Sequence, residues 1–190
     1  MWIKGNYRRN LMDMHIDDWN PEFLSKINVK EYVAALKDAG VQAAMVKGKP
    51  HTGLCYYPTK VGRMHWGLKG YDFFGDMVKT CHENGIAVIA YFTQIFDNWA
   101  YEEHPSWRLV TAEGKMMREY RHGEDFKSGR YGIVCPNNPE YREYVKACLT
   151  EMNTMYDFEG MFLDMTFFPE VCYCASCRER YKKETGKELP

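Results

Sequence analysis

Along this chain short apolar runs alternate with longer segments whose apolar positions recur at i, i+3, i+4 and i+7, the stripe of an amphipathic helix. Residues 11–16 form the first run and read as strand one. Asn28 then offers an N-cap with Glu31 three residues on, a capping-box spacing, and Val29, Tyr32, Val33 and Leu36 form the stripe behind it. Gly40 supplies the stop as a C′ residue. Strand two is read over 42–46. A helix follows over 71–84, with Phe74, Met77, Val78 and Cys81 on one face and Gly85 after it. Residues 86–92 are a continuous apolar run, the pattern of a parallel strand buried on both faces. Asn138 caps a third helix with Pro139 at its first position, and Tyr141, Tyr144, Val145, Cys148, Leu149 and Met152 are its buried stripe. Strand four is read over 160–164, and a last helix over about 175–185.

Strand–helix alternation argues for parallel βαβ units. Four such units in 190 residues are half of an eight-fold barrel of roughly 250 residues. The expected fold class is therefore α/β: an incomplete (β/α)8 TIM barrel, about the first four βα units, with residues 1–190 as the N-terminal half of one catalytic domain. A doubly wound open sheet is the runner-up, weakened because no glycine-rich phosphate loop follows strand one. The chain stops just after a helix without a terminal capping signal, which reads as a fragment of a longer protein.

Two connections stand out by length. Residues 47–70 and 93–137 lack a regular pattern, and loops so long in a compact domain are usually functional or disordered. Their Trp, Tyr, His and Phe content argues against disorder, and in an α/β barrel both lie at the C-terminal face, where active sites sit. Composition narrows the partners. A net charge of −1 gives no electrostatic reason to expect nucleic acid or an anionic membrane. An aromatic share of 15%, without basic excess, points to sugars as stacking partners. No apolar stretch approaches a membrane span, and residues 1–10 lack the apolar core of a signal peptide. Seven irregularly placed cysteines do not suggest a disulfide framework, so the expected setting is reducing and cytoplasmic.

Candidate chemistry concentrates at predicted strand ends. Asp164 closes strand four, where a carboxylate points into a barrel mouth as nucleophile or general base; a loop-capping Asp is the plain alternative. Asp13, His15 and Asp17 alternate onto one face of strand one, with Asp18 following; His15 is a substrate-binding candidate. Lys47, Lys49 and His51 follow strand two, able to hydrogen-bond sugar hydroxyls or to form an exposed basic loop. Tyr91, Trp99 and Trp107 can stack on a ring or pack a long loop. Cys172, Cys174 and Cys177 form C-x-C-x-x-C, and with Cys135 they can hold a tetrahedral structural Zn²⁺ or remain reduced thiols. Cys55, Cys81 and Cys148 read as ordinary buried cysteines.

Two resemblances sharpen this. The run Lys49-Pro50-His51-Thr52-Gly53, followed by Pro58-Thr59-Lys60, resembles the Lys-His-His-Asp-Gly-Phe and Pro-Ser-Lys pattern of α-L-fucosidases, which follows strand two and binds the sugar. It implies sugar-binding roles for Lys49 and His51. The first His of that pattern is Pro50 here and its Asp is Thr52. Asp164 sits where fucosidases carry the nucleophile, in a Trp-Phe-Asp-Gly-like strand end. The run Cys135-Pro136-Asn137-Asn138-Pro139-Glu140-Tyr141-Arg142, with Cys172, Cys174 and Cys177, is similar to the zinc-containing β-galactosidases, and all four of their ligand positions are present. Their acid/base glutamate, from Asp-Asn-Glu after strand four, has no counterpart in Asp164-Met165-Thr166. The mixture resembles the hypothetical glycosyl hydrolase families related to both groups.

The expected function is retaining hydrolysis of a glycosidic bond, fucosidase- or galactosidase-like, with Asp164 as nucleophile. His15, Lys49, His51, Tyr91 and Trp99 are the expected substrate-binding residues, with structural Zn²⁺ on Cys135, Cys172, Cys174 and Cys177. The acid/base is not assignable from the sequence: Glu170 and Glu102 are local candidates, and family analogy places that group on later strands. The expected partner is a carbohydrate, with self-association into a homo-oligomer through open strand edges. The rival is a non-catalytic, zinc-stabilised carbohydrate-binding module.

Overall fold

The structure is a computed structural model that describes residues 3–119 and 129–190. In chain order its elements are β1 (Arg9–Leu11), α1 (Val29–Asp38), β2 (Ala43–Lys49), β3 (Leu54–Cys55), β4 (Arg63–Met64), α2 (Phe73–Glu83), β5 (Ala87–Thr93), α3 (Asn98–Glu103), α4 (Pro139–Met155), β6 (Gly160–Asp164) and α5 (Ala175–Thr185). Single 3₁₀ turns lie over Trp66–Leu68 and Pro105–Trp107. The main sheet is parallel, ordered β1-β2-β5-β6, and β3 and β4 pair separately.

One face of the sheet is covered. Ala44, Val46, Val88, Ala90 and Phe92 point into a single core with Val33 and Leu36 of α1, Phe74 and Met77 of α2, and Tyr141, Cys148 and Met152 of α4. Burying each larger apolar side chain stabilises by about 1.5–3 kcal/mol. The helix signals are realised as the sequence reads: Asn28 Oδ1 accepts from Glu31 N at 3.2 Å, and Asn138 Oδ1 accepts from Tyr141 N at 3.0 Å. The other face is open. Leu11 and Phe162 are exposed there, lining a groove of about 420 Å³ with Met45, Ile89 and Gly160.

Strand one differs from its reading over 11–16. The ladder pairs Arg9, Asn10 and Leu11 with Ala43, Ala44 and Met45, so the strand ends where the apolar run begins. Beyond Leu11 side chains take over from the ladder: the Tyr56 hydroxyl donates to Met14 O at 3.0 Å and lies 3.2 Å from the Ile16 N–H. The apolar character of 12–16 serves loop packing rather than a strand. The long connections are also more ordered than their sequence suggests. The first holds β3 and β4. The second holds α3 and a group of antiparallel bridges, among them Phe96–Ile133 and Arg108–Val134; residues 120–128 of it lie outside the described part. These bridges enclose a second, smaller core of Ile95, Phe96, Leu109, Met117, Tyr131 and Ile133 with Cys135, Cys172, Cys174 and Cys177.

Candidate active site

Parallel strands bring their carboxyl ends to one edge, and four expected residues meet there. Asp164 ends β6 opposite Thr93 of β5. Its Oδ2 accepts from the Tyr91 hydroxyl and lies 3.3 Å from His51 Nε2; its Oδ1 accepts from Met165 N at 2.9 Å. Met165 has φ 56°, a left-handed conformation that favours glycine and marks strain at the strand end. With the Tyr91 hydroxyl donating to Asp164, His51 Nε2, 2.8 Å from the Tyr91 oxygen, carries the ring proton of the neutral imidazole. His51 N–H donates to His15 Nδ1 at 3.0 Å, which puts the proton of neutral His15 on Nε2, facing Asp13 Oδ1 at 2.8 Å. The two imidazole rings lie with centroids 3.9 Å apart, tilted by 31°.

Electrostatics fit a carboxylate nucleophile. Burial pushes the Asp164 carboxyl up, but the hydrogen bonds from Tyr91, Met165 and His51 outweigh it and hold the group below its ordinary value. Asp164 is thus ionised at neutral pH, as attack requires. Burial drives both histidines down to about 4, with neighbouring positive charge adding to the effect at His15. In the crevice they are neutral hydrogen-bonding groups.

Lys47 and Lys49, read from sequence as following strand two, lie within β2, and they separate. On a regular strand Lys47 and Lys49 would face one way. The ladder instead places Lys47 opposite Tyr91 and Lys49 opposite Phe92, so Gly48 is an extra residue, a β-bulge that re-aims the side chains beyond it. Lys47 turns into the crevice, its Nζ 3.0 Å from Asp13 Oδ1 and 3.3 Å from the centre of the Tyr91 ring. Burial lowers its pKa, and Asp13 offsets part of that. Lys49 turns to the helical side. It is 0% exposed and ion-paired with the equally buried Asp97, which outweighs burial and raises its pKa. The expectation that Lys49 contacts sugar is therefore corrected: its ammonium is committed to Asp97 inside the core.

Trp99 packs on Tyr144 with ring centroids 5.4 Å apart. Trp107 is buried, stacks on His104 at 3.7 Å and donates to Glu140 at 2.9 Å. Glu102 pairs with Arg118 and Arg108, and Glu170 lines a separate surface cleft beside Cys172 and Cys177; neither hydrogen-bonds to the Asp164 group. Lys47, read from sequence together with Lys49, is the lysine that reaches the crevice, and Gly48 was the available signal for their separation. Two crevice residues were not singled out by sequence. Tyr131 packs against His51 at 4.9 Å, and Arg130 donates to His15 O; both sit in a long loop without periodicity.

The four expected thiols converge. The sulfurs of Cys135, Cys172, Cys174 and Cys177 all lie within 4.8 Å of one another and are buried, and Asn137 Nδ2 donates to Cys177 Sγ at 3.4 Å. Tetrahedral zinc with Zn–S bonds of about 2.3 Å needs sulfurs about 3.8 Å apart, so the set fits such an ion. Cys55, Cys81 and Cys148 are buried in the main core.

A model of the family described as hypothetical glycosyl hydrolase 6 matches residues 28–165. No curated protein matches the chain. Among solved structures, α-L-fucosidase isoenzyme 2 from Paenibacillus thiaminolyticus superposes with a TM-score of 0.83 at 25% identity, over 94% of this chain and 26% of that one. Thermotoga maritima α-fucosidase does so at 0.53 and 22% identity, over 84% and 32%. A hypothetical protein from Ruminiclostridium thermocellum gives 0.58 at 18% identity, over 75% and 71%. The chain thus spans about a quarter of the length of the first fucosidase and a third of the second.

Proposed function

The chain belongs to the hypothetical glycosyl hydrolase 6 family, a fucosidase-related group, and from that premise we propose that residues 1–190 are the N-terminal half of a (β/α)8 glycoside hydrolase domain acting by a retaining mechanism. The strand order β1-β2-β5-β6 advances in sequence without reversal, and the helices that complete its main core cover one face. Both features support a barrel half over a doubly wound sheet.

The observation that carries the chemistry is Asp164, ionised at the strand edge and held by Tyr91 and His51. In the first step its carboxylate forms a bond to the anomeric carbon as the glycosidic C–O bond breaks, and the leaving oxygen takes a proton from a general acid. A retaining pair stands about 5–5.5 Å apart; the second carboxylate comes from polypeptide beyond these four units. His15, His51 and Tyr91 bind sugar hydroxyls or hold Asp164 in place. Cys135, Cys172, Cys174 and Cys177 hold one structural Zn²⁺, as their resemblance to the ligand set of the zinc-containing β-galactosidases implies, which ties the loop after β5 to the loop after β6.

The substrate is a carbohydrate, with α-L-fucosides the first class to try. All seven cysteines are free, which suits a cytoplasmic setting, and among the described residues no helix is long and apolar enough to cross a membrane. The unpaired edges of β1 and β6 favour self-association. The test is hydrolysis of 4-nitrophenyl glycosides, whose leaving group departs without a proton. The chain should turn over one of them slowly, and Asp164→Asn should lower that rate more than 1000-fold, about 4 kcal/mol of barrier. Equal rates would remove Asp164 from the nucleophile's role.

A further inference from the structure

A second cleft, of about 170 Å³, opens beside the crevice and is lined by Thr52, Trp99, Asp17, Asp18, Arg63 and Glu102 among others. The same two segments build both sites. His15 faces the crevice and Asp17, two residues on, faces the cleft; His51 faces the crevice and Thr52, the next residue, faces the cleft. The backbone fixes this arrangement, since Asn98 N donates to His51 O and Trp99 N to Thr52 O, both at 3.1 Å. Gly53 permits the close approach: it has φ +78°, and a Cβ there would meet Trp99 N at 2.9 Å.

Thr52 Oγ1 points to a ligand. Thr52 is 2% exposed, and its hydroxyl is buried without a hydrogen-bond partner. A buried polar group left unpaired costs about 1–3 kcal/mol, so the position calls for an external donor or acceptor. The rest of the lining suits a sugar: an indole from Trp99, carboxylates from Asp17, Asp18 and Glu102, and the Arg63 guanidinium, which donates to Asp18 at 2.8 Å. With Glu103 the lining holds four carboxylates to one guanidinium, which disfavours an acidic ligand. A metal ion is disfavoured too, because among the described residues only the four cysteines bring metal-ligating atoms together.

We infer that this cleft is a subsite for the sugar residue next to the scissile bond, so that the substrate is an uncharged oligosaccharide rather than a simple glycoside. The inference rests on the glycoside hydrolase reading of the crevice. The test titrates the chain with L-fucose, with lactose and with the neutral trisaccharide 2′-fucosyllactose, read by calorimetry and by amide chemical shifts. The trisaccharide should bind at least tenfold more tightly than fucose, with shifts at Thr52 and Trp99. Thr52→Val keeps the side-chain shape and should weaken trisaccharide binding about fivefold, the worth of one hydrogen bond, while fucose binding stays unchanged. Equal affinity for fucose and trisaccharide, or a Thr52→Val chain that binds the trisaccharide as wild type does, overturns the cleft while leaving the crevice intact. Absence of binding by all three sugars overturns the cleft together with the fucoside reading of the crevice.

Discussion

His15 and His51 are neutral in the folded crevice down to about 4, whereas an unfolded histidine titrates near 6.5. Between those values the unfolded chain binds more protons than the folded one, so stability falls as pH drops from about 6.5 to about 4. Asp164, held below its ordinary value, adds a loss at still lower pH. Urea midpoints across this window should decline on acidification, and His51→Gln should flatten the slope; an unchanged slope would mean that His51 is already charged in the fold. At Lys49 the expected effect is on stability. Lys49→Met strands a buried Asp97 and should cost about 3–5 kcal/mol in denaturant unfolding, and a loss below about 1 kcal/mol, the scale of an exposed pair, would show that the pair is dispensable. The types of the crevice residues were legible from sequence because strand ends attract polar groups only for a reason. The opposite fates of Lys47 and Lys49 were not, since they turn on a bulge at Gly48 that alternation cannot foresee.

At the scale of elements, periodicity located α1, α2 and α4, because each carries its own side-chain cap and a stripe set by the main core; α5 was read without either, and it buries Cys177 alone. The apolar pattern located β2, β5 and β6 because each carries a run of apolar residues; β2 and β5 are almost wholly buried, whereas Phe162 and Leu163 of β6 are exposed at the sheet edge. It misplaced strand one, where residues 12–16 are apolar for contact with Tyr56 and its surroundings. The loop after β5 was opaque for a related reason: its bridges pair residues far apart in sequence, such as Phe96 with Ile133, and leave no local period. That loop shares a core with the four cysteines and Met165, so metal should matter for this element more than for the sheet. Protein purified without chelator should carry about one Zn²⁺ per chain by elemental analysis. Its removal should erase amide protection over 94–119 and 172–178 and spare β2 and β5. A metal-free protein with full protection there would refute the zinc site.

For the whole molecule, the α/β class follows from strand–helix alternation alone, and the fucosidase-like superposition of 94% of the chain agrees with it. What sequence could not supply is the closing side of the site. The open face, with Leu11 and Phe162 exposed beside the 420 Å³ groove, is where further βα units of the proposed barrel would pack and where the second carboxylate would arrive. The central claim is the role proposed for Asp164, a nucleophile poised by Tyr91 and His51. It can be tested without the missing acid by incubating the chain with 2-fluoro-fucosyl fluoride, because fluoride leaves without a proton and the fluorine at C2 slows the second step. Mass spectrometry of the digested protein should find one glycosyl adduct, on Asp164, absent from Asp164→Asn. An adduct on another residue, or one that forms equally in Asp164→Asn, would contradict the account.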